Sequence, residues 1–301
     1  MATTLQPAAE PVGAAGSAAA VVRATAPSLG FRHNLRAVRV VWQREMIRFS
    51  RDRLRMVTSL IQPVLFLFVL GTGLSTITSG SSSQNVNLRT FMYPGALSMA
   101  VLFTAMFSAA SIVWDREFGF LREMLVAPIA RWSIVVGKCL GGATTSTLQG
   151  VIILAMAGIV GVPYSFTLFV TVFFELLLLA LTLTAFGVMM SARIDQIQSF
   201  MALNQMLLMP LFFLSGALFP LGNLPAWLQV LTRIDPLTYA VDPVRHAVFA
   251  HLKVPPALVA RLNPGVTWAG WRVPVGLELV IVAAMGAVML GVAVWQFRKA
   301  E

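Results

Sequence analysis

Apolar residues dominate six stretches of the chain, 56–76, 92–114, 132–158, 166–190, 200–219 and 273–297. A helix needs roughly 20 such residues to cross a hydrocarbon core about 30 Å thick, so each stretch predicts a membrane-spanning helix. Pro63 and Pro210 fall inside the first and fifth. Within a bundle, neighbouring helices satisfy the carbonyl that a proline frees, so both predict kinks rather than ends. The expected fold is an all-α polytopic membrane protein with six transmembrane helices.

Different patterns lie between and before these runs. Residues 1–30 are rich in Ala, Pro, Gly and Ser without periodicity and read as a disordered tail. The first basic residue there, Arg23, follows the apolar AAAVV rather than preceding it, so no cleaved signal is indicated. Residues 31–55 hold eight arginines. At 100° per residue, Leu35, Val38, Trp42, Met46 and Phe49 share one stripe, which predicts an amphipathic helix lying along the membrane surface or packed on a partner protein. Residues 56–301 are expected to form the six-helix domain. Between its fifth and sixth spans, Pro220, Pro225, Pro236 and Pro243 punctuate the outer segment too often for a seventh span and predict two short amphipathic pieces.

Composition agrees with the pattern. Of 301 residues, 57% are hydrophobic and 11% charged, which excludes a soluble domain of this length. The net charge of +10, carried almost wholly by arginine, reads as cytoplasmic retention of basic loops rather than nucleic-acid binding. With both termini inside, sixteen of the 22 basic residues fall on the cytoplasmic side and six outside. Five of those six lie in the long segment before the last span, and long loops translocate largely regardless of charge.

The loop at 115–132 is the most informative. Asp115 reads as an N-cap, Glu117 as a first-turn acid and Pro128 as a stop; Phe118, Leu121 and Leu125 form an apolar stripe, with Arg116, Arg122 and Glu123 elsewhere. A short helix so displayed can insert into a groove of a partner, or simply be a capped surface helix. Catalytic chemistry has little support. Glu175 is an acid within an apolar span, a candidate for contacting a cationic substrate or pairing with a hydroxyl, while Glu278 is expected to snorkel or to pair with Arg272. Gly137–Gly141 and the ladder Ala283, Ala287, Gly291 are expected at close helix contacts. His33, His246, His251 and the lone Cys139 form no catalytic or metal-ligating pattern, and the chain has no P-loop motif. An intramembrane enzyme built on Glu175 and a polar neighbour is the competing class.

The run WDREFGFLREMLVAP at 114–128 resembles the signature of ABC type-2 transporter permeases, with Arg116, Glu117, Gly119, Glu123, Leu125 and Pro128 in the matching places. The stretch 212–249 is also similar to the family, through Ser215-Gly216, Pro220, Leu224-Pro225, Trp227-Leu228, the run Pro236-Leu237-Thr238-Tyr239, Asp242 and Arg245. The resemblance implies the permease subunit of an exporter, not itself an enzyme, in a bacterial inner membrane. Two copies of a separate ATPase would bind ATP and Mg, and a second permease, identical or related, would complete the assembly. The 115–128 loop would be the coupling helix and 31–55 the interfacial helix. The segment after the fifth span would re-enter the membrane from outside, which makes Phe212, Phe213, Phe219 and Trp227 candidates for an exit gate; the same aromatics also suit an interfacial belt. The implied cargo is hydrophobic or amphipathic, a drug, antibiotic or lipid, with polysaccharide or glycolipid export as the alternative.

Overall fold

The computed structural model describes residues 30–73, 88–126, 129–221, 224–252, 263–268 and 271–299, without the side chains of residues 88, 122, 123 and 125. The expected tail lies almost wholly outside the described residues, as does Pro128. The first helix, α1, runs Phe31–Arg51 and stops at Asp52, whose carboxylate accepts the Arg55 N–H and so begins α2, Arg53–Leu65. The expected 31–55 helix is therefore two helices. Pro63 sits inside α2, which passes into one π-helical turn, Phe66–Leu70. Then come α3, Leu88–Glu117, a short α4, Phe120–Val126, and α5, Arg131–Ala155. The long helix α6, Phe166–Ser191, precedes α7, Ile197–Leu214, with Pro210 inside it. Two short helices, α8, Ala226–Ile234, and α9, Thr238–Ala250, lead to a hairpin of two-residue strands, β1 Thr267–Trp268 and β2 Trp271–Arg272, and to α10, Val275–Lys299.

Among the described residues five helices are long and apolar enough to cross a membrane: Arg53–Gly73, Arg89–Glu117, Phe166–Ser191, Ile197–Leu214 and Val275–Lys299. The remaining expected span, α5, has the length but not the composition, and its packing gives the reason. Gly137, Lys138, Thr145, Ser146, Thr147 and Gln149 are buried, while Leu140, Leu148 and Ile152 are exposed, so most of its polar side chains face other helices. Its hydroxyls bond back to carbonyls one turn earlier: Thr145 and Ser146 to Gly142 O, and Thr147 to Ala143 O. Gln149 donates to Met56 O at the start of α2.

The axis of the bundle is α3. The most apolar part of this helix is 89% buried, against 17% for α2 and α10. Its inward positions are largely small or flexible, Ala96, Ala100, Ala105, Met106 and Ala109, which lets α5, α6 and α7 approach. Tyr93 donates to Leu154 O at 2.9 Å and Tyr164 to Ala155 O at 2.9 Å, satisfying carbonyls that the end of α5 leaves free.

Close approach explains the glycines of α5. A Cβ on Gly137 would lie 2.7 Å from Val41 Cβ, and one on Gly141 2.7 Å from Glu45 Cβ, so α1 docks directly on this pair. The packed stripe of α1 is thus Val38, Val41 and Glu45, whereas Leu35 is exposed. Ala283, Ala287 and Gly291 instead lie on the exposed face of α10; Gly286 makes the close contact, against Thr182. At the far end, α7 stops at Leu214 rather than reaching residue 219, because Gly216 adopts φ +71° and turns the chain. Only α8 of the two short helices is amphipathic. Nearly every residue of α9 is buried, against α3, α6 and α10.

Substituting Gly141→Leu is expected to cost about 1–3 kcal/mol by overpacking against Glu45. Gly291→Leu, with nothing within 4 Å of its position, should leave the unfolding midpoint in detergent unchanged. Equal midpoints for the two variants would show that the contact does not hold α1.

Candidate functional site

Three consecutive residues close the inner end of α3, and each grips a different element. Arg116 donates to Ala192 O at 2.7 Å and Ile194 O at 2.9 Å, where α6 ends, and pairs with Asp195 at 3.2 Å. Glu117 accepts the Ile197 N–H at 2.9 Å, where α7 begins. A cation at a helix C-terminus and a carboxylate at an N-terminus are each favoured by the helix dipole. Asp115, 3% exposed, lies 2.6 Å from Lys138 Nζ on α5 and 2.8 Å from Arg44 Nη2 on α1.

Lys138 is held from a second side. Its ammonium lies 2.8 Å from Glu45 Oε1 and donates to Ser111 Oγ at 3.1 Å. The buried cluster Asp115, Lys138 and Glu45 therefore joins α3, α5 and α1. Pairing is what makes such charges tolerable away from water, since an isolated buried ion loses several kcal/mol of solvation. Sequence reasoning assigned neither Glu45 nor Lys138 a role. The signals were present: Glu45 is the single acid among the arginines of 31–51, and Lys138 interrupts an otherwise uncharged helix interior.

Beyond this hub the loop departs from expectation. Asp115 is not an N-cap, because α3 continues through Glu117. Gly119, at φ +81°, breaks the helix, and α4 starts at Phe120. Phe118 and Leu121 consequently do not share a face: Phe118 is 70% exposed, whereas Leu121 is buried against the inner core of α3, α6 and α7. The side chains of Glu123 and Leu125 lie outside the described residues. Exposed apolar groups at the tip are Phe118, Phe120 and Val126, the last at 86%. The base of the loop is tied down by the Ala130 N–H, which donates to Asn34 Oδ1 at 2.9 Å, and by stacking of Phe31 on Trp132.

The ABC-2 type transporter family matches residues 36–249, more than two thirds of the chain and including the hub and the loop. This chain belongs to that family. It is similar to a putative transport permease, ycf38, of Cyanophora paradoxa, 30% identical over 208 residues, 68% of this chain and 72% of the relative. A probable multidrug ABC transporter permease of Escherichia coli K12, YbhR, is 32% identical over 164 residues, 53% of this chain but only 44% of that relative's length. Nodulation protein J of Rhizobium leguminosarum bv. trifolii is 27% identical over 217 residues, 70% of this chain and 80% of the relative.

The second ABC-2 motif folds as a set of braces. Asp235 accepts the Leu237 N–H at 2.9 Å and the Thr238 hydroxyl, which starts α9. Arg245, 3% exposed, donates to Gly216 O at 2.7 Å and lies over the Phe91 ring. Asp242 accepts the Val266 N–H, and Trp268 donates to the Tyr239 hydroxyl, pinning the hairpin. Of the gate candidates, Phe212 and Phe213 pack edge to face with each other, and Phe212 packs likewise on Phe66 of the π-helical turn that follows α2. Phe219 is half-buried outside that cluster, and Trp227 lies on the exposed side of α8. Glu175 is buried, with Oε2 lacking a hydrogen-bond partner among the described residues. Glu278 does not snorkel: it is fully buried beside Asp242, within electrostatic reach of Glu175 and Arg272.

Replacing Lys138 with Met in this ABC-2 family member strands Glu45 and weakens the pairing of Asp115, and is expected to cost about 3–5 kcal/mol. Replacing Glu45 with Met as well should recover part of that loss. A double variant no more stable than K138M, by thermal unfolding in detergent, would show that the two charges do not act as a pair.

Proposed function

We propose that this chain is the membrane-spanning subunit of an ATP-driven exporter that moves hydrophobic or amphipathic compounds, such as a drug, an antibiotic or a lipid, out of the cytoplasm or the inner leaflet. The observation that carries the reading is the exposed apolar tip, Phe118, Phe120 and Val126, one glycine away from a hub bonded to α1, α5, α6 and α7. Exposed aromatic and aliphatic side chains on a short helix suit a groove on a partner. Motion imposed on α4 would reach the bundle through Asp115, Arg116 and Glu117 as a rigid-body shift rather than dissipating in the loop. We assign the partner as a separate ATPase subunit that holds ATP and Mg, present in two copies, with a second permease, identical or related, completing the transporter.

In this arrangement α5 crosses the membrane too, giving six spans, with both termini on the cytoplasmic face of a bacterial inner membrane and α1 along that face. The burial of α9 between α3, α6 and α10 supports a segment that dips into the membrane from outside. Phe212 and Phe213 then stand at the outer end of the path, with Phe219 and Trp227 above them and Glu175 deeper in the bundle. The multidrug name of one relative favours a lipophilic cargo.

The triple variant F118S/F120S/V126S tests the docking face. Because all three side chains are exposed, the unfolding midpoint should hold, while affinity for the co-expressed ATPase falls at least tenfold and stimulated ATP hydrolysis in proteoliposomes is lost. An intact complex with full coupling would remove the assignment. For the cargo, cells with and without the transporter should differ in accumulation of at least one lipophilic dye; no difference across a panel would favour a polysaccharide or glycolipid instead.

A further inference from the structure

A cavity of about 300 Å³ opens between α1, α2, α3 and α5, with Glu45 of the buried ion cluster in its wall. Its wall combines the guanidinium groups of Arg48 and Arg55 and the carboxylates of Glu45 and Asp52 with hydroxyls of α3 and α5, over the rings of Phe103 and Phe107. Most polar groups near it already have partners. Glu45 is taken by Lys138, the Asp52 carboxylate accepts the Arg55 N–H, and Arg48 lies over the Trp114 ring, 3.9 Å from Asp115. Among the described residues the half-buried Arg55 guanidinium, within electrostatic reach of Asp52 and Glu45, makes no direct ion pair and no side-chain hydrogen bond, and the Thr104 hydroxyl, 7% exposed, has no hydrogen-bond partner.

The cavity does not end in protein. Thr58 and Gln62 of α2 line both it and a second, almost wholly apolar groove of about 730 Å³ between α2, α3 and α7. That groove passes Leu65, Val69 and Met209 and reaches Phe212 and Phe213. A polar, hydroxyl-lined chamber thus continues into an apolar slot running along a membrane-crossing helix. This is the shape and polarity of one amphiphile, its head at Arg55 and its chain along α2.

We infer that this chain holds a phospholipid, with its phosphate on Arg55, an ester oxygen at Thr104, and an acyl chain in the groove beside α2. The planar guanidinium fork matches a phosphate, and arginines at the membrane surface meet lipid phosphates. The inference rests on the membrane placement of α1 and α2 proposed above and not on the nature of the cargo. A chain that binds the lipid here yet exports nothing would leave the export reading wrong and this one standing.

Native mass spectrometry of the full chain in detergent tests it, with phosphatidylglycerol, phosphatidylethanolamine, diacylglycerol and inorganic phosphate as probes. Phosphatidylglycerol should be retained as one equivalent, at least tenfold tighter than diacylglycerol, and phosphatidylethanolamine likewise. Arg55→Gln should weaken it at least tenfold, and Arg55→Lys less. Thr58→Trp, which blocks the junction of chamber and groove, should release the lipid while sparing any binding of inorganic phosphate. If R55Q lowers the unfolding midpoint, T58W at its exposed position decides alone. Equal retention by wild type and T58W, equal retention of diacylglycerol, or inorganic phosphate binding as tightly as the lipid would each overturn the inference.

Discussion

A carboxylate at the buried end of the central helix needs a cation, and the lower half of the molecule is arranged around that need. Asp115 is nearly inaccessible, and so is the lysine that answers it from α5. Lys138 in turn demands a second acid, which α1 supplies at Glu45. Each charge is acceptable only because the next is present, so three helices meet at one point through charges that must be kept or removed together. The glycines at 137 and 141 make the geometry feasible by letting the α1 backbone settle against α5. Arg116 and Glu117, on the next two positions, extend the same logic to the ends of α6 and α7.

The hub explains why a helix as polar as α5 belongs inside this bundle. Thr145, Ser146 and Thr147 are bonded to their own preceding turn, its lysine is neutralised by two acids, and Leu140 and Leu148 point outward. It is an inverted version of a soluble amphipathic helix, with the polar face turned to protein and the apolar face to the surroundings. The upper half follows a different rule. There Arg245, Asp235, Asp242 and Tyr239 serve as braces for α9 and the hairpin, so the polar residues of the second motif secure a connection rather than a ligand.

Much of the architecture was legible from hydropathy, because a lipid-facing helix writes its length into the sequence as an unbroken apolar run. The long helices near 92–114, 166–190 and 273–297 follow those runs to within a few residues. What hydropathy hides is direction. The stripe drawn through Leu35, Val38, Trp42, Met46 and Phe49 caught part of the packed face of α1, with Val38 buried and Trp42 bonded to Thr144 of α5, but missed Val41 and Glu45, which meet glycines that only the fold brings near. The ladder Ala283, Ala287, Gly291 failed for the same reason: small side chains permit contact but do not command it. The loop motif was visible as a motif, yet its roles were not. Whether Asp115 caps a helix or pairs with a lysine 23 positions later depends on a left-handed turn at Gly119, which sequence spacing alone does not reveal.

The burial of α3 carries a consequence for how anything crosses. A helix enclosed on nearly all sides, with its inward residues at or near zero exposure, occupies the place where a pore through a single bundle would have to run. One chain by itself is a plug. Any conduit must form as a seam along its flank, against lipid or another subunit, and the sparsely covered sides of α2 and α7 are where that seam has room to open.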